Sequence, residues 1–326
     1  MNVIRLLGES LNANGAVLLI GGPGAGKHEI VRDFLNAENV SRNRLLYITP
    51  VEVESYSFLV EEDSLDDNIR DGIFKKFVKL AYNELLEFAG VKKVWEKDLP
   101  ILSPKEIDWV RAALKGEFPR FYVVLEEFLS VDPNMAFGGI LSLFPLYRRL
   151  FQPGETIINL INSGETFGIP PNLFIIATAT TWKEYMDLYS VYSLFRIIYV
   201  HSPMSILLQY IEDKRLGHAL ISALTKINSL LDSNTKVGPW LFIREIYSVP
   251  PEKQTKAIKE IFAEKFYPML SVGAKNVSSI INRYFQNDKR DIPLQQKILS
   301  LDDDEFISFL EQIDSEMEDV RSSYQQ

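Results

Sequence analysis

The sequence predicts an α/β fold: a parallel sheet flanked by helices, followed by a smaller all-α domain. Three observations carry this. Short continuous apolar runs recur between residues 16 and 200, bounded by Gly, Pro or charged residues, and strands buried on both faces read this way. Helical periodicities separate those runs, and strands alternating with helices build a parallel sheet. Beyond Pro203 the helical period continues without a convincing strand. The expected division is an α/β domain over residues 1–202 and an all-α domain over residues 203–326.

The run Ala16 to Ile20 ends at a Gly/Pro cluster and predicts the first strand. From Lys27 the pattern turns helical, with Ile30, Val31, Phe34 and Leu35 on one face. Residues 45–48 read as a strand, and 72–89 as a helix facing Ile73, Phe74, Phe77, Val78, Leu80 and Ala81 inward. Residues 121–125 form the next buried strand, and 134–150 read as helical. Residues 157–161 and 165–169 flank Asn162-Ser163-Gly164 as a hairpin would. Residues 173–180 and 197–200 complete the strands, and 204–232 and 251–270 read as helices. At the end, acidic Asp302 to Glu305 precede Phe306, Phe309, Leu310, Ile313, Met317 and Val320 at helical spacing. That amphipathic helix either docks a partner or packs on its own domain.

Composition narrows the chemistry. Hydrophobic residues make up 46% of the 326 and charged residues 24%, the balance of a globular protein with a packed core. A formal charge of −9 argues against non-specific nucleic-acid binding by the whole surface. With no cysteine there is no disulfide, thiolate nucleophile or cysteine-ligated zinc, and His28, His201 and His218 are scattered. No apolar run spans a bilayer, and Met1 to Leu11 lacks a signal-peptide core, so a cytoplasmic protein is expected.

The motif with the most chemistry is Gly21-Gly22-Pro23-Gly24-Ala25-Gly26-Lys27, a complete G-x-x-x-x-G-K between an expected strand and an expected helix. Glycines let successive N–H groups turn toward one anion. The following helix presents its positive end there, and Lys27 supplies a point charge for the β- and γ-phosphates. The next residue ordinarily offers Mg²⁺ a hydroxyl. Here it is His28, and Mg²⁺ prefers hard oxygen ligands. Nucleotide is expected to bind while metal positioning, and hence hydrolysis, is weakened. The strand 121–125 runs into Glu126 and Glu127. Glu126 is assigned to the metal and Glu127 to the attacking water.

On these residues and those that follow, the chain resembles the McrB-type AAA+ family, the nucleotide-driven motor subunits of modification-dependent restriction systems. The resemblance covers residues 15–270. It continues through Glu54-Ser55-Tyr56-Ser57-Phe58 with Gly72-Ile73-Phe74, through Val124-Leu125-Glu126-Glu127, and through Phe137-Gly138 to Arg148-Arg149. Its most specific stretch is Ile169-Pro170-Pro171-Asn172-Leu173-Phe174-Ile175-Ile176-Ala177-Thr178, which is similar to the family's sensor strand. Lys236-Val237-Gly238-Pro239-Trp240 and Phe266-Tyr267-Pro268-Met269-Leu270 resemble segments of its helical part.

The resemblance implies a P-loop AAA+ sheet with an all-α lid, ATP or GTP with Mg²⁺ as cofactors, and a ring, of six copies by that likeness, driving a nuclease or DNA-binding partner. ATP is the nucleotide expected here. The departures cluster at chemistry. The family's Walker B aspartate corresponds to Glu126 and its sensor asparagine falls near Thr180. Its Asn-Arg after the catalytic glutamate is Leu129-Ser130, and its Asp-Arg-Ser is Trp182-Lys183-Glu184. Its paired arginines are reduced to Arg196, so Arg196, Arg148 or Arg149 would serve as a trans finger. The residues preceding Gly21 are too few for a DNA-reading domain, so target recognition is expected from a partner chain. Two functions stay open: an active NTPase motor, which the cradle and carboxylates favour, and a degenerate nucleotide-binding switch or scaffold, which His28 and Thr180 favour.

Overall fold

A computed structural model describes residues 3–49, 56–63, 69–180, 193–231, 236–273, 281–286, 288 and 290–323. Residues 54–55 and 182–184, on which part of the family likeness rests, lie outside the described residues. The fold is α/β: a parallel sheet flanked by helices, with a helical unit after it in the chain. The chain divides into two compact units, Met1–Ile20 with Lys27–Tyr199, and Gly21–Gly26 with Val200–Gln326.

The first unit is built on strands β1 (Ala16–Ile20), β2 (Leu45–Ile48), β5 (Phe121–Leu125), β8 (Leu173–Ala179) and β9 (Arg196–Tyr199). Their order across the sheet is β2-β5-β8-β1-β9, and every pairing is parallel. Every side chain of β1, β5 and β8 is buried, as strands covered on both faces require. The register sets Ile20 beside Ala179 and Leu125 beside Ala177. The chain therefore leaves β5, β8 and β1 at neighbouring points on one edge of the sheet, the carboxyl edge where ligands of such folds bind.

Helices α1 (Val3–Asn14), α2 (Lys27–Ala37) and α4 (Ile73–Phe88) flank the sheet. Leu80, expected on the inner face of α4, is 42% exposed, whereas Phe74, Val78, Ala81, Tyr82, Leu85 and Leu86 carry the packing. Two small hairpins stand apart from the sheet: β3 (Glu61–Asp63) with β4 (Ile69–Asp71), and β6 (Ile158–Asn159) with β7 (Thr166–Phe167). Lys75 and Lys79 of α4 join them through buried ion pairs to Glu61, Asp71 and Glu165. Burial alone would raise the Asp71 carboxyl, but the hydrogen bonds and charges of Lys75 and Lys79 win and hold it below its ordinary value.

The continuous helix expected over residues 134–150 is absent. A short helix, Pro133–Phe137, gives way to 3₁₀ turns at Gly138–Leu143 and Leu146–Arg148. Gly138 takes a positive φ of 53°, and Pro145 has no N–H with which to continue a helix.

The second unit gathers α7 (Lys214–Ser229), α8 (Trp240–Ile246), α9 (Pro251–Ile261), α10 (Tyr267–Gly273), α11 (Leu294–Leu299) and α12 (Asp303–Ser323) around its own core. The helix expected over 204–232 begins with a 3₁₀ turn, Met204–Gln209, before α7, and that over 251–270 is interrupted by a π-turn at Phe262–Phe266. Phe306, Phe309, Leu310 and Ile313 of α12 are buried in this core, so through Ile313 the acidic helix packs on its own unit; the side chains of Met317 and Val320 lie outside the described residues. Among the described residues no helix is long and apolar enough to cross a membrane.

Candidate phosphate-binding site

In the first unit, three chain segments leave the carboxyl edge of the sheet and meet. Lys27 opens α2 after β1, Glu126 and Glu127 follow β5, and Thr180 follows β8. The Lys27 side chain is buried, and its Nζ donates to Thr180 Oγ1 at 3.1 Å. Thr180 passes its own hydroxyl hydrogen to Glu127 Oε1 at 2.5 Å, while its backbone N–H donates to Oε2 at 3.0 Å. Lys27 Nζ also stands 3.9 Å from Glu127 Oε1. A cation, a hydroxyl and a carboxylate are thus joined in one hydrogen-bonded chain.

Glu127 owes its direction to strain held by its neighbours. It adopts a left-handed backbone with φ 44°, a costly state for a side-chain-bearing residue. Its N–H donates to Thr178 Oγ1 at 3.1 Å, and the N–H of Phe128 donates to the Thr178 carbonyl at 2.8 Å. Thr178 therefore turns the chain as it leaves β5. It stands inside an apolar run in the sequence, so nothing there sets it apart from any other strand threonine.

Glu126 faces a different partner. Its Oε1 lies 2.8 Å from His28 Nδ1. A carboxylate only accepts, so the ring nitrogen carries the hydrogen. Tyr47, at the end of β2, stands close enough that, after burial, the Glu126 charge is the second cause raising its hydroxyl above the ordinary value. The donors present do not fit Mg²⁺. Position 28 supplies an imidazole in place of a hydroxyl, that imidazole is bonded to the strand-end carboxylate, and among the described residues no three His, Cys, Asp or Glu side chains gather to hold a metal.

Residues Gly21–Gly26 belong to the second unit and are gripped there. Gly238 N donates to the Pro23 carbonyl at 2.8 Å, Trp240 N to the Gly24 carbonyl at 3.0 Å, and Ser202 Oγ to the Ala25 carbonyl at 2.8 Å. Gly24 and Gly26 take φ of 69° and 94°, open to glycine without strain. A Cβ on Gly22 would fall 1.9 Å from the Lys236 carbonyl, and one on Gly26 2.8 Å from the Trp240 ring. With its carbonyls bonded to this clasp, the loop is held in one shape. Ser202 carries no motif that would announce the grip, and the stretch Lys236 to Trp240 is marked in the sequence without any sign that its backbone meets this loop.

The candidate finger residues separate. Arg196 opens the edge strand β9 and is exposed, and Arg148 is half-buried over the Tyr147 ring, 5.5 Å from its centroid. Arg149 corrects the expectation. Its guanidinium is fully buried and donates to the carbonyls of Phe144, Gly15 and Leu173. Burial pulls it below its ordinary range. It is a staple inside the first unit and presents nothing to a neighbouring chain.

No family model and no curated protein matches this chain. Among solved structures it is similar to PCH-2 of C. elegans, at 12% identity and a TM-score of 0.30, over 93% of this chain and 62% of that one. The chain thus spans less than two thirds of PCH-2. It is also similar to a Walker-type ATPase of Pyrococcus abyssi, at 16% identity and a TM-score of 0.38, over 94% of both chains. At such scores neither likeness adds weight to the strand order already described.

Proposed function

We propose that this chain binds a nucleoside triphosphate, ATP in the first instance and GTP as the alternative, through the stretch Gly21–Lys27, and hydrolyses it slowly with Glu127 polarising the water. The observation that carries the reading is the Lys27–Thr180–Glu127 chain, with Lys27 Nζ 3.1 Å from Thr180 Oγ1. A buried ammonium at the start of a helix, beside a carboxylate held by two hydrogen bonds, suits recognition of a phosphate with a water in reach. Lys27, Gly21, Gly22, Pro23, Gly24, Ala25, Gly26 and His28 would line the nucleotide. Arg196 or Arg148 remains as a finger reaching a neighbouring copy.

The likeness to McrB-type AAA+ motors extends the proposal to a ring-forming subunit that serves a DNA-processing or restriction nuclease partner, with DNA met through that partner. That extension rests on the quoted residues alone. A second reading, a nucleotide-binding switch with little turnover, is favoured by one observation: Glu126 is bonded to His28 at 2.8 Å. Phosphate release from ATP and from GTP, measured beside Lys27→Ala, separates the readings. Turnover lost in the variant supports the enzyme, binding without turnover supports the switch, and unchanged affinity in the variant rejects the site. The expected loss of affinity on Lys27→Ala is at least about tenfold, or about 1.4 kcal/mol, by calorimetry.

A further inference from the structure

We propose that this site takes its nucleotide without a divalent cation, the imidazole N–H of His28 holding the Glu126 carboxylate where a metal-bound water would otherwise stand. The inference rests on the nucleotide-binding reading above and says what that site requires.

A phosphate loop ordinarily grips its metal between two oxygen donors, a hydroxyl following the lysine and a carboxylate at a strand end. Here both halves of that grip are altered in one contact. Position 28 has no oxygen to give, and its ring nitrogen lies 2.8 Å from Glu126 Oε1. The imidazole offers an octahedral oxygen shell no ligand, and one oxygen of Glu126 is already engaged by it, so the chain supplies little of the shell a magnesium ion would take.

The metal has a second task, which is to keep the strand-end carboxylate from repelling the phosphates. Glu126 is 31% exposed at its side chain, so unpartnered it would still repel an incoming anion, the more so as a bound ligand displaces water. The His28 N–H offsets that repulsion from within the chain. Attraction for the anion then comes from Lys27, buried at the head of the 11-residue α2, and from the positive end of that helix. Glu127 is partnered in a parallel way, both its oxygens accepting from Thr180 at 2.5 and 3.0 Å. Each of these two carboxylates has a donor from the chain, and neither waits for an ion.

Calorimetry on the full chain with ADP and with a slowly hydrolysed ATP analogue tests this, in Mg²⁺ and again in EDTA. The wild-type affinities are expected to agree within about threefold between the two buffers. His28→Thr removes the donor and restores a hydroxyl, so its affinity should fall at least about tenfold in EDTA and recover in Mg²⁺. Wild-type binding that weakens about tenfold in EDTA overturns the proposal and leaves the nucleotide site standing. Binding in neither buffer rejects the nucleotide site itself. A His28→Thr protein as indifferent to EDTA as the wild type overturns the role given to His28. The wild-type comparison decides the metal requirement even if the variant fails to fold.

Discussion

Two of the buried cations of the first unit, Lys27 and Arg149, keep different company. Lys27 finds a hydroxyl and a carboxylate, groups that can be exchanged for phosphate oxygens. Arg149 finds only backbone carbonyls, those of Gly15 before β1, Leu173 at the start of β8 and Phe144 in a 3₁₀ turn. The pairing of β1 with β8 already brings Gly15 and Leu173 together, and the guanidinium ties the Phe144 turn to that pair. Arg149→Met keeps the length and removes every side-chain donor, taking the guanidinium's hydrogen bonds from the buried Phe144 and Leu173 carbonyls, while Gly15 keeps its bond from Ile175 N. A loss of about 3 kcal/mol is expected, read as a lower urea midpoint, with nucleotide affinity of the folded protein retained. A variant of normal stability that has lost only turnover would return Arg149 to the role of a finger.

At the scale of elements, caps and packing faces decide. Helix α5 (Pro104–Ala113) starts from Ser103 in a full capping box with Glu106. The Lys93 ammonium, then the Ser103 N–H and hydroxyl, hold the Glu106 carboxyl down from 4.5 to about 2. A carboxyl depressed in the folded state stabilises above its ordinary range and loses that contribution as pH falls toward the folded value. Glu106→Gln should therefore lower the melting temperature near neutrality. The gap from wild type should close as the pH is taken down toward about 2. A gap independent of pH would mean that the cap works through shape alone.

Helix α12 is held differently. Phe309 is fully buried, with its ring centroid 5.7 Å from Phe262, 4.9 Å from Tyr284 and 5.6 Å from Phe285. Phe309→Ala should cost about 3–5 kcal/mol, seen by denaturant unfolding. A near-neutral result would mean that the acidic helix is a detachable docking arm.

For the whole molecule, the consequence of a finger supplied by a neighbour is that nucleotide promotes assembly. Arg196 stands exposed on an edge strand, available to another copy. Sedimentation at micromolar protein should show larger species with a slowly hydrolysed analogue than without it, and Arg196→Ala should lower turnover in the assembled form. A monomer under every nucleotide would count against the ring and leave the single-chain site intact.

The central strands were legible because burial on both faces demands unbroken apolar runs: Ala16–Ile20 and Phe121–Leu125 begin and end where those runs do. The turns of the stretch Gly21–Lys27 were legible for a similar reason, since the positive φ that Gly24 and Gly26 take is open to glycine without strain. The helix over residues 134–150 was misread because apolar spacing says nothing about Gly138 turning to positive φ or Pro145 lacking its donor. Arginine reads as surface, so the burial of Arg149 was hidden until its three carbonyls were brought around it. The pairs that define the site lie far apart in the chain, Lys27 from Thr180 by 153 positions and His28 from Glu126 by 98. Local pattern determines which segments become strands and which loop can cradle a phosphate. Only the parallel order β5-β8-β1 decides which strand ends become neighbours, and so which carboxylate each donor meets, because hydrogen bonds form between atoms close in space whatever their distance in sequence.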